Sequence, residues 1–337
     1  MNAATGELDC LLTTLTPLFI GKETVGKNKQ FITRANKPVI PGTSLKGLFR
    51  SMAELVGGGC MLVKNKTWEV DDSQEACTDC RSLCITCRMF GMMERQAHAR
   101  VLKGKISISD GVLVHGDGRL HQAAVYLGSP KPSHTAFYKT PGSGVVDGRQ
   151  RKFYFHQPGQ VDALRHPTAA KEADLWTIDV LPKGHTFRFS VQFENLTDAE
   201  LSLLLYVVAL EERAEVHVPI GGQDDLRLTG PLRHKLGYAK SLGAGSCHVR
   251  IETMTLLPTP RSRYSSLACH GEQRWEGGEL LKQIAARTTS YVGDSSPTMQ
   301  ALRVMLVWDE KDRRRFSYPD FHWFKHGVNS AVPLKRV

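Results

Sequence analysis

Long apolar runs are missing from this sequence. No stretch of 18 apolar residues occurs among its 337, so it offers no candidate for a membrane-spanning helix. The start, MNAATGELDC, lacks the basic residues and apolar core of a secretory signal, and a cytoplasmic protein with no membrane partner is expected. Internal repeats and low-complexity segments are missing too, which favours one elaborated domain over a repeat array or two independent units. Acid is in short supply. Lys and Arg number 44 against 34 Asp and Glu, a net charge of +10, and that balance suits a polyanionic partner. No histidine precedes His98, and the thirteen present are dispersed, so none can be named as a general acid or base.

The cysteines are unevenly spread. Cys60, Cys77, Cys80, Cys84 and Cys87 cluster, whereas Cys10, Cys247 and Cys269 stand alone. That is metal-site usage in a reducing compartment rather than a disulfide framework. Residues 77–87 read C-x2-C-x3-C-x2-C, and two such pairs can present thiolates to one tetrahedral zinc ion. The three-residue gap is tight for all four on one ion. One inner cysteine could stand aside with Cys60 completing the set, and the spacing leaves open which four of the five bind. A closed four-thiolate site is structural, with no open position for catalysis.

Along the chain, residues 9–20 (DCLLTTLTPLFI) read as a buried strand ending at Gly21. The next loop, GKETVGKNKQFITRANKPVI, carries five Lys or Arg, Lys27 and Lys29 among them, and one acid. After Pro41-Gly42, Thr43 or Ser44 can cap a helix whose apolar residues Leu45, Leu48, Phe49, Met52 and Leu55 share a face. Glycines 57–59 end it. VLKGKISISDGVLV and TFRFSVQFEN alternate as strands. Residues 116–166 are irregular and basic, with a short aromatic strand KFYFH at 152–156, and read as an inserted arm. LTDAELSLLLYVVALEE is a helix with Thr197 as cap and Glu200 as capping-box partner. CHVRIETMTLL is the last strand of the series.

Strand, helix, strand, strand, helix, strand predicts an α+β fold with a ferredoxin-like (RRM-like) βαββαβ core. The core spans 1–257, with a zinc-binding insertion at 58–98 and the arm at 116–166. Residues 258–337 hold a weak helix near 278–287, an apolar run ALRVMLVW and an aromatic tail YPDFHWF, and are expected to pack on the core as a C-terminal extension.

Two segments suit phosphate binding. In PGTSLKGLFR, the amides of the first helical turn and the hydroxyls of Thr43 and Ser44 form an anion site, with Lys46 and Arg50 on one helical face. In KLGYAKSLGAGS, Lys235, Lys240 and three glycines precede the last strand, in a loop whose backbone can approach a ligand. The plainer alternative for the first is a capped amphipathic helix with solvated cations.

PVIPGTSLKGLFRS, CITCRMFG followed by GKISISDGVLV, LPKGHTFRFSVQFENLTDAELSLLL and KLGYAKSLGAGSCHVRI occur in that order. Together they resemble the RAMP superfamily of CRISPR proteins, over roughly residues 11–257. The likeness is to the backbone subunits of type III and type IV effector complexes. It implies a multi-copy subunit whose copies stack along guide RNA (crRNA), hold its phosphates and expose it to a complementary target nucleic acid. The implied partners are other CRISPR effector subunits and, in a type IV complex, a helicase. The family's RNA contacts fall on Ser44, Lys46 and Arg50 and on the glycine loop with Lys235 and Lys240. A structural zinc is implied at the cysteines. The 116–166 arm corresponds to the family's thumb, where Arg149, Arg151 and Lys152 would pair phosphates and Phe153, Tyr154 and Phe155 would offer stacking faces.

Type III backbone subunits cut target RNA with an aspartate in the loop before the first helix. Here that loop has no Asp, and Asn28 or Gln30 stands near the place. A neutral amide neither holds a divalent ion as a carboxylate does nor acts as a base. Glu23, the loop's sole acid, comes several residues early. The expectation is a scaffold with no catalytic residue, type IV-like or a cleavage-inactive type III-like subunit, and Asp110 is read as a structural acceptor. The enzyme alternatives are a target-RNA endonuclease and a guide-processing endoribonuclease, the latter disfavoured because such enzymes use a histidine near the first helix. A zinc-containing RNA-binding protein unrelated to CRISPR is a third class.

Overall fold

Alternation fixes the first strand: from Gly6 to Thr14 every second residue is buried, with Leu8, Cys10 and Leu12 wholly inside, as a strand with one covered face requires. The computed structural model describes residues 3–61, 74–94, 99–127, 135–137, 151–158, 175–218, 226–258 and 271–312, with isolated positions beyond. Its main strands are β1 (Ala4–Thr14), β2 (Ile106–Ile108), β3 (Gly111–His115), β4 (Thr186–Leu196) and β5 (Ser246–Leu256). Its helices are α1 (Gly42–Val56), α2 (Ile85–Phe90), α3 (Asp198–Ala209), α4 (Gly277–Val292) and α5 (Pro297–Leu306). The fold is α+β.

The sheet runs β5, β1, β4, β3, with β2 also on β4 and the strand Lys37–Ile40 outside β3. All of these pairings are antiparallel. β1 ends at Thr14, earlier than its apolar run suggests, because the chain turns out of register. The amides of Leu15 and Thr16 both donate to the Ser246 carbonyl. The expected single strand over 101–114 is three pieces, Val101–Lys103, β2 and β3. Gly104 breaks it, passing so close to Phe90 that a Cβ there would lie 2.4 Å from the Phe90 carbonyl carbon.

α1 buries Leu45, Phe49, Met52 and Ala53, each large side chain contributing about 2 kcal/mol of transfer free energy. Neither Thr43 nor Ser44 caps it: the helix starts at Gly42, with Pro41 before it and no side-chain cap. The Gly42 amide instead donates to Asp110 Oδ1 at 2.9 Å. A Cβ on Gly42 would fall 2.2 Å from the Ile108 carbonyl oxygen, so glycine is required by the close pass of the β2–β3 connection. α3 follows the sequence reading. Thr197 Oγ1 accepts from the Glu200 amide, and Glu200 Oε2 accepts from the Thr197 amide at 2.9 Å. With residues 203–208 all buried, α3 is a core helix covered on nearly every side, packing against α1, α4 and β5. Glu200, fully buried, also pairs with Arg88 of α2 at 3.0 Å and with Lys105 at 2.7 Å, which ties the cysteine insertion to the core.

The C-terminal extension continues the core. Gln273–Glu276 adds a strand to β5, and α4 and α5 follow. Buried Arg303 of α5 donates through Nε to both oxygens of buried Glu211 at 3.0 and 3.2 Å. Its other nitrogens donate to the carbonyls of Tyr291, Val292 and Asp294, closing the C-terminal end of α4. Among the described residues no helix is long and apolar enough to cross a membrane.

Arg303→Ala removes the charged partner of buried Glu211, which keeps the Tyr206 hydroxyl as a donor, and takes a donor from the carbonyls of Tyr291, Val292 and Asp294. It should lower stability by about 3–5 kcal/mol, read from the urea midpoint, and Arg303→Lys should recover only part because a single ammonium cannot reproduce the fork.

Candidate metal centre and nucleic-acid interface

The glycines after α1 deliver Cys60, and the return of the insertion to α2 delivers the remaining thiols. The Sγ atoms of Cys60, Cys77, Cys84 and Cys87 all lie within 4.8 Å of one another, and Cys60 and Cys87 are 3.6 Å apart. An ion with metal–sulfur bonds of about 2.3 Å sets its tetrahedral sulfurs about 3.8 Å apart, so four thiolates fit one ion. The backbone helps to shape the set. The Cys84 amide donates to Cys77 Sγ at 3.3 Å, and the Cys87 amide to Cys84 Sγ at 3.4 Å, where Cys84 caps α2. Cys80 is the inner cysteine that stands aside: its thiol donates to Met92 Sδ at 3.4 Å and its amide to Glu94 Oε1 at 3.2 Å. Hydrogen bonds from the Cys60 and then the Cys87 thiol hold Cys84 well below the ordinary thiol range. The bond to Cys84 pushes Cys60 up to about 11.

The start of α1 differs from the expected anion site. The Gly42 amide is held by Asp110, and the amides of Ser44 and Leu45 donate to the Pro41 carbonyl at 2.9 and 3.2 Å. Asp110 also pairs with exposed Arg34 at 2.8 Å, the structural acceptor the sequence suggests. Thr43 is exposed and Ser44 half-exposed. Lys46 donates to the Ile106 carbonyl at 2.8 Å, its pKa lowered first by burial and then by Arg50. Arg50, expected on phosphate, turns inward instead: Nη2 donates to Cys87 Sγ at 3.6 Å and Nη1 to the Gly91 carbonyl at 2.9 Å. Arg151 donates to the Cys60 carbonyl at 3.2 Å. Helical spacing puts Lys46 and Arg50 on one face but cannot say that the cysteine loop lies against its far end.

The glycine loop, residues 236–245, packs against the segment that follows β1. Gly237, with φ at +85°, would set a Cβ 2.3 Å from the Phe19 carbonyl oxygen, and the Gly245 amide donates to the Pro17 carbonyl. Lys235, expected as a surface cation, is buried. Its ammonium donates to the carbonyls of Lys240 and Ala244, both at 3.0 Å, stapling the loop from within. Burial, and then Lys240 beside it, push Lys235 down to about 7. Lys240 itself is lowered by burial and next by Lys152, which comes from the arm. Lys29 Nζ lies 4.6 Å from the ring centroids of both Trp176 and Tyr238. Residues 29, 152 and 240 thus bring cations to one loop, and none has a carboxylate partner among the described residues. Lys27 is exposed on the same hairpin as Lys29, and Arg149 lies outside the described residues.

The KFYFH segment forms no strand. Phe155 stacks on Phe316 with centroids 4.2 Å apart, Tyr154 meets Tyr318 edge-on at 5.1 Å, and the Phe155 amide donates to the Tyr318 hydroxyl. The C-terminal tail therefore covers aromatic faces expected to be open. Sequence reasoning missed His156, whose ring bridges Ser246 Oγ at 2.8 Å and the Arg233 carbonyl at 3.0 Å. Burial pushes it down to about 3, so it is neutral near pH 7 and fixes the arm to the start of β5. The only signal was a polar residue closing an aromatic run.

A model of the RAMP superfamily matches residues 11–246, from β1 through the glycine loop, and the chain belongs to that superfamily. It is accordingly a CRISPR-associated RNA-binding subunit, from a family whose members bind crRNA and other CRISPR subunits. No curated protein matches it.

Metal analysis should find one ion per chain in the wild type and in Cys80→Ser, and a clear loss in Cys84→Ser. The lowered Lys235 sets a second test. Between about 7 and the value of about 10.4 for an unfolded lysine, the unfolded chain binds more protons than the folded one, so stability rises with pH across that window. The Lys235 contribution is fully expressed above about pH 10 and absent below about 7. Urea unfolding at pH 7.5, 8.5 and 9.5 should show a shallower rise for Lys235→Met than for the wild type.

Proposed function

We propose that this RAMP protein is a multi-copy backbone subunit of a CRISPR effector complex, holding guide RNA by its phosphates at the glycine loop without cutting the target. The observation that carries this reading is the meeting of Lys29, Lys152 and Lys240 at that loop. Lys240 is held below its ordinary range by burial and by Lys152, a state that a phosphodiester would relieve. Lys27 on the neighbouring hairpin, and Thr43, Ser44 and Lys46 at α1, extend the accessible polar surface. Contacts of this kind read the backbone and leave sequence to base pairing, which suits a subunit repeated along one guide.

The strand order β5, β1, β4, β3, with α1 against α3, supports a ferredoxin-like core. The four-thiolate set supports structural zinc, since soft thiolates in a tetrahedron select that ion and leave no open coordination position. Zinc would be held by Cys60, Cys77, Cys84 and Cys87 and would fix the end of α1 to α2. The arm at 116–166 would serve as a thumb that carries Arg151 and Lys152. Asn28 and Gln30 are exposed on the hairpin strand Asn28–Phe31, and Asp110 is committed to Gly42 and Arg34. This supports holding without cleavage, as in a type IV-like or cleavage-inactive type III-like subunit. Other effector subunits, further copies of this chain, a target strand and, for type IV, a helicase would complete the assembly.

Lys152→Glu with Lys240→Glu should weaken binding of single-stranded guide RNA at least tenfold. It should also flatten the salt dependence by about 1.4 in log–log slope, at about 0.7 per phosphate. Unchanged binding would defeat the reading. In the same assay, complementary labelled RNA with magnesium should stay intact on the wild-type complex. Regularly spaced fragments would assign the chain to target cleavage.

A further inference from the structure

The cysteine cluster is surrounded by more built charge than a structural ion needs for its ligands alone. One zinc with four thiolates carries a net charge of −2, and a buried charge of that size requires compensation. Arg50 touches the cluster directly, Arg151 holds the backbone at its first ligand, and Glu54 joins the two. Arg50, whose side chain is 18 % exposed, uses its whole fork: Nη2 to Cys87 Sγ, Nη1 to the Gly91 carbonyl that closes α2, and Nε to Glu54 Oε1 at 3.0 Å. Arg151, 12 % exposed, donates to the carbonyls of Gly59 and Cys60 at 3.4 and 3.2 Å, with Nε 3.9 Å from Glu54 Oε2. Glu54, one turn along α1 from Arg50, faces both guanidiniums. The trio brings +1 to the side of the cluster, through one arginine on the last ligand and another on the backbone of the first.

We infer that Arg50 and Arg151, bridged by Glu54, are positioning residues of the metal centre, and that through Arg151 the bound ion holds the segment 151–158 so that Lys152 faces the glycine loop. This rests on the zinc reading above. The guanidinium fork matters because it meets a sulfur, a carbonyl and a carboxylate from one plane, which an ammonium on a flexible stem cannot do. Partners of this type orient first ligands, and their loss costs about 10–100-fold in metal affinity. A phosphate-binding role for Arg50 predicts no such loss.

The test is competition for zinc between the purified full chain and a chromogenic chelator. Arg50→Gln and Arg151→Gln should each bind zinc about 10–100-fold more weakly than the wild type, with Arg50→Lys between them and the wild type. If Arg50→Gln fails to fold, Arg50→Lys carries the test, and wild-type affinity in it overturns the inference. At saturating zinc, Arg50→Gln should bind guide RNA within about twofold of the wild type, whereas at limiting zinc its RNA affinity should fall with occupancy. Unchanged zinc affinity in both glutamine variants overturns the inference while leaving the RNA reading intact. So does an RNA defect in Arg50→Gln at saturating zinc equal to that of Lys240→Glu. A wild-type chain that binds no zinc would sink the zinc reading and this inference with it.

Discussion

β1 is paired along both edges, and most of the architecture depends on that. Leu8 faces Val191 on one side and Met254 on the other, so three segments far apart in the chain must be assembled before any of them is satisfied. One consequence is the position of the candidate RNA surface. Because β5 runs antiparallel to β1, the exit of β1 and the entry to β5 lie together. Thr16 Oγ1 accepts from the Ser246 amide at 2.8 Å, and the Tyr238 amide donates to the Phe19 carbonyl. The loop after β1 and the glycine loop before β5 become one surface through strand pairing, and His156 and Gln157 fasten the arm to it.

The positive charge divides by chemistry. Several arginines are held by fixed polar partners: Arg303 on Glu211, Arg88 on Glu200, Arg50 and Arg151 at the cysteines, Arg233 on Glu212 at 3.1 Å. A planar fork is suited to such fixed polar partners. Lysines instead gather at the glycine loop, Lys29 against Tyr238 and Lys152 beside Lys240. The arginine ion pairs are neutral and take nothing from the net charge of +10, which is carried by the other side chains.

Much of this was legible where a local rule governs. The capping box at Thr197 and Glu200, the stop of α1 at Gly57 and the alternation of β1 and β4 all follow from residue spacing. The cysteine pairs suggest a metal site, and four thiols do lie together where they could hold an ion, but setting Cys80 aside depends on Met92 and Glu94, which no spacing brings near. KFYFH carried a strand signal because such propensity reports a half-buried extended segment. Here the burial comes from Phe316 and Tyr318 of the tail rather than from a paired strand. Lys235 reads as a loop cation in sequence, and only the fold of the loop over its ammonium reveals a staple.

The helix start shows how an internal ligand redirects an external one. A helix N-terminus attracts anions through its free amides, yet at α1 the Asp110 carboxylate and the Pro41 carbonyl occupy those of Gly42, Ser44 and Leu45. Asp110 is thereby held in a closed contact that also engages Arg34. An incoming phosphate would meet hydroxyls and Lys46 at this end, whereas under the proposed function the guide lies at the glycine loop. There Lys29, Lys152 and Lys240, from three distant segments, have no carboxylate partner among the described residues. On that reading the amide set that the sequence offers as the clamp serves the fold, and the loop stapled by Lys235 would meet the RNA.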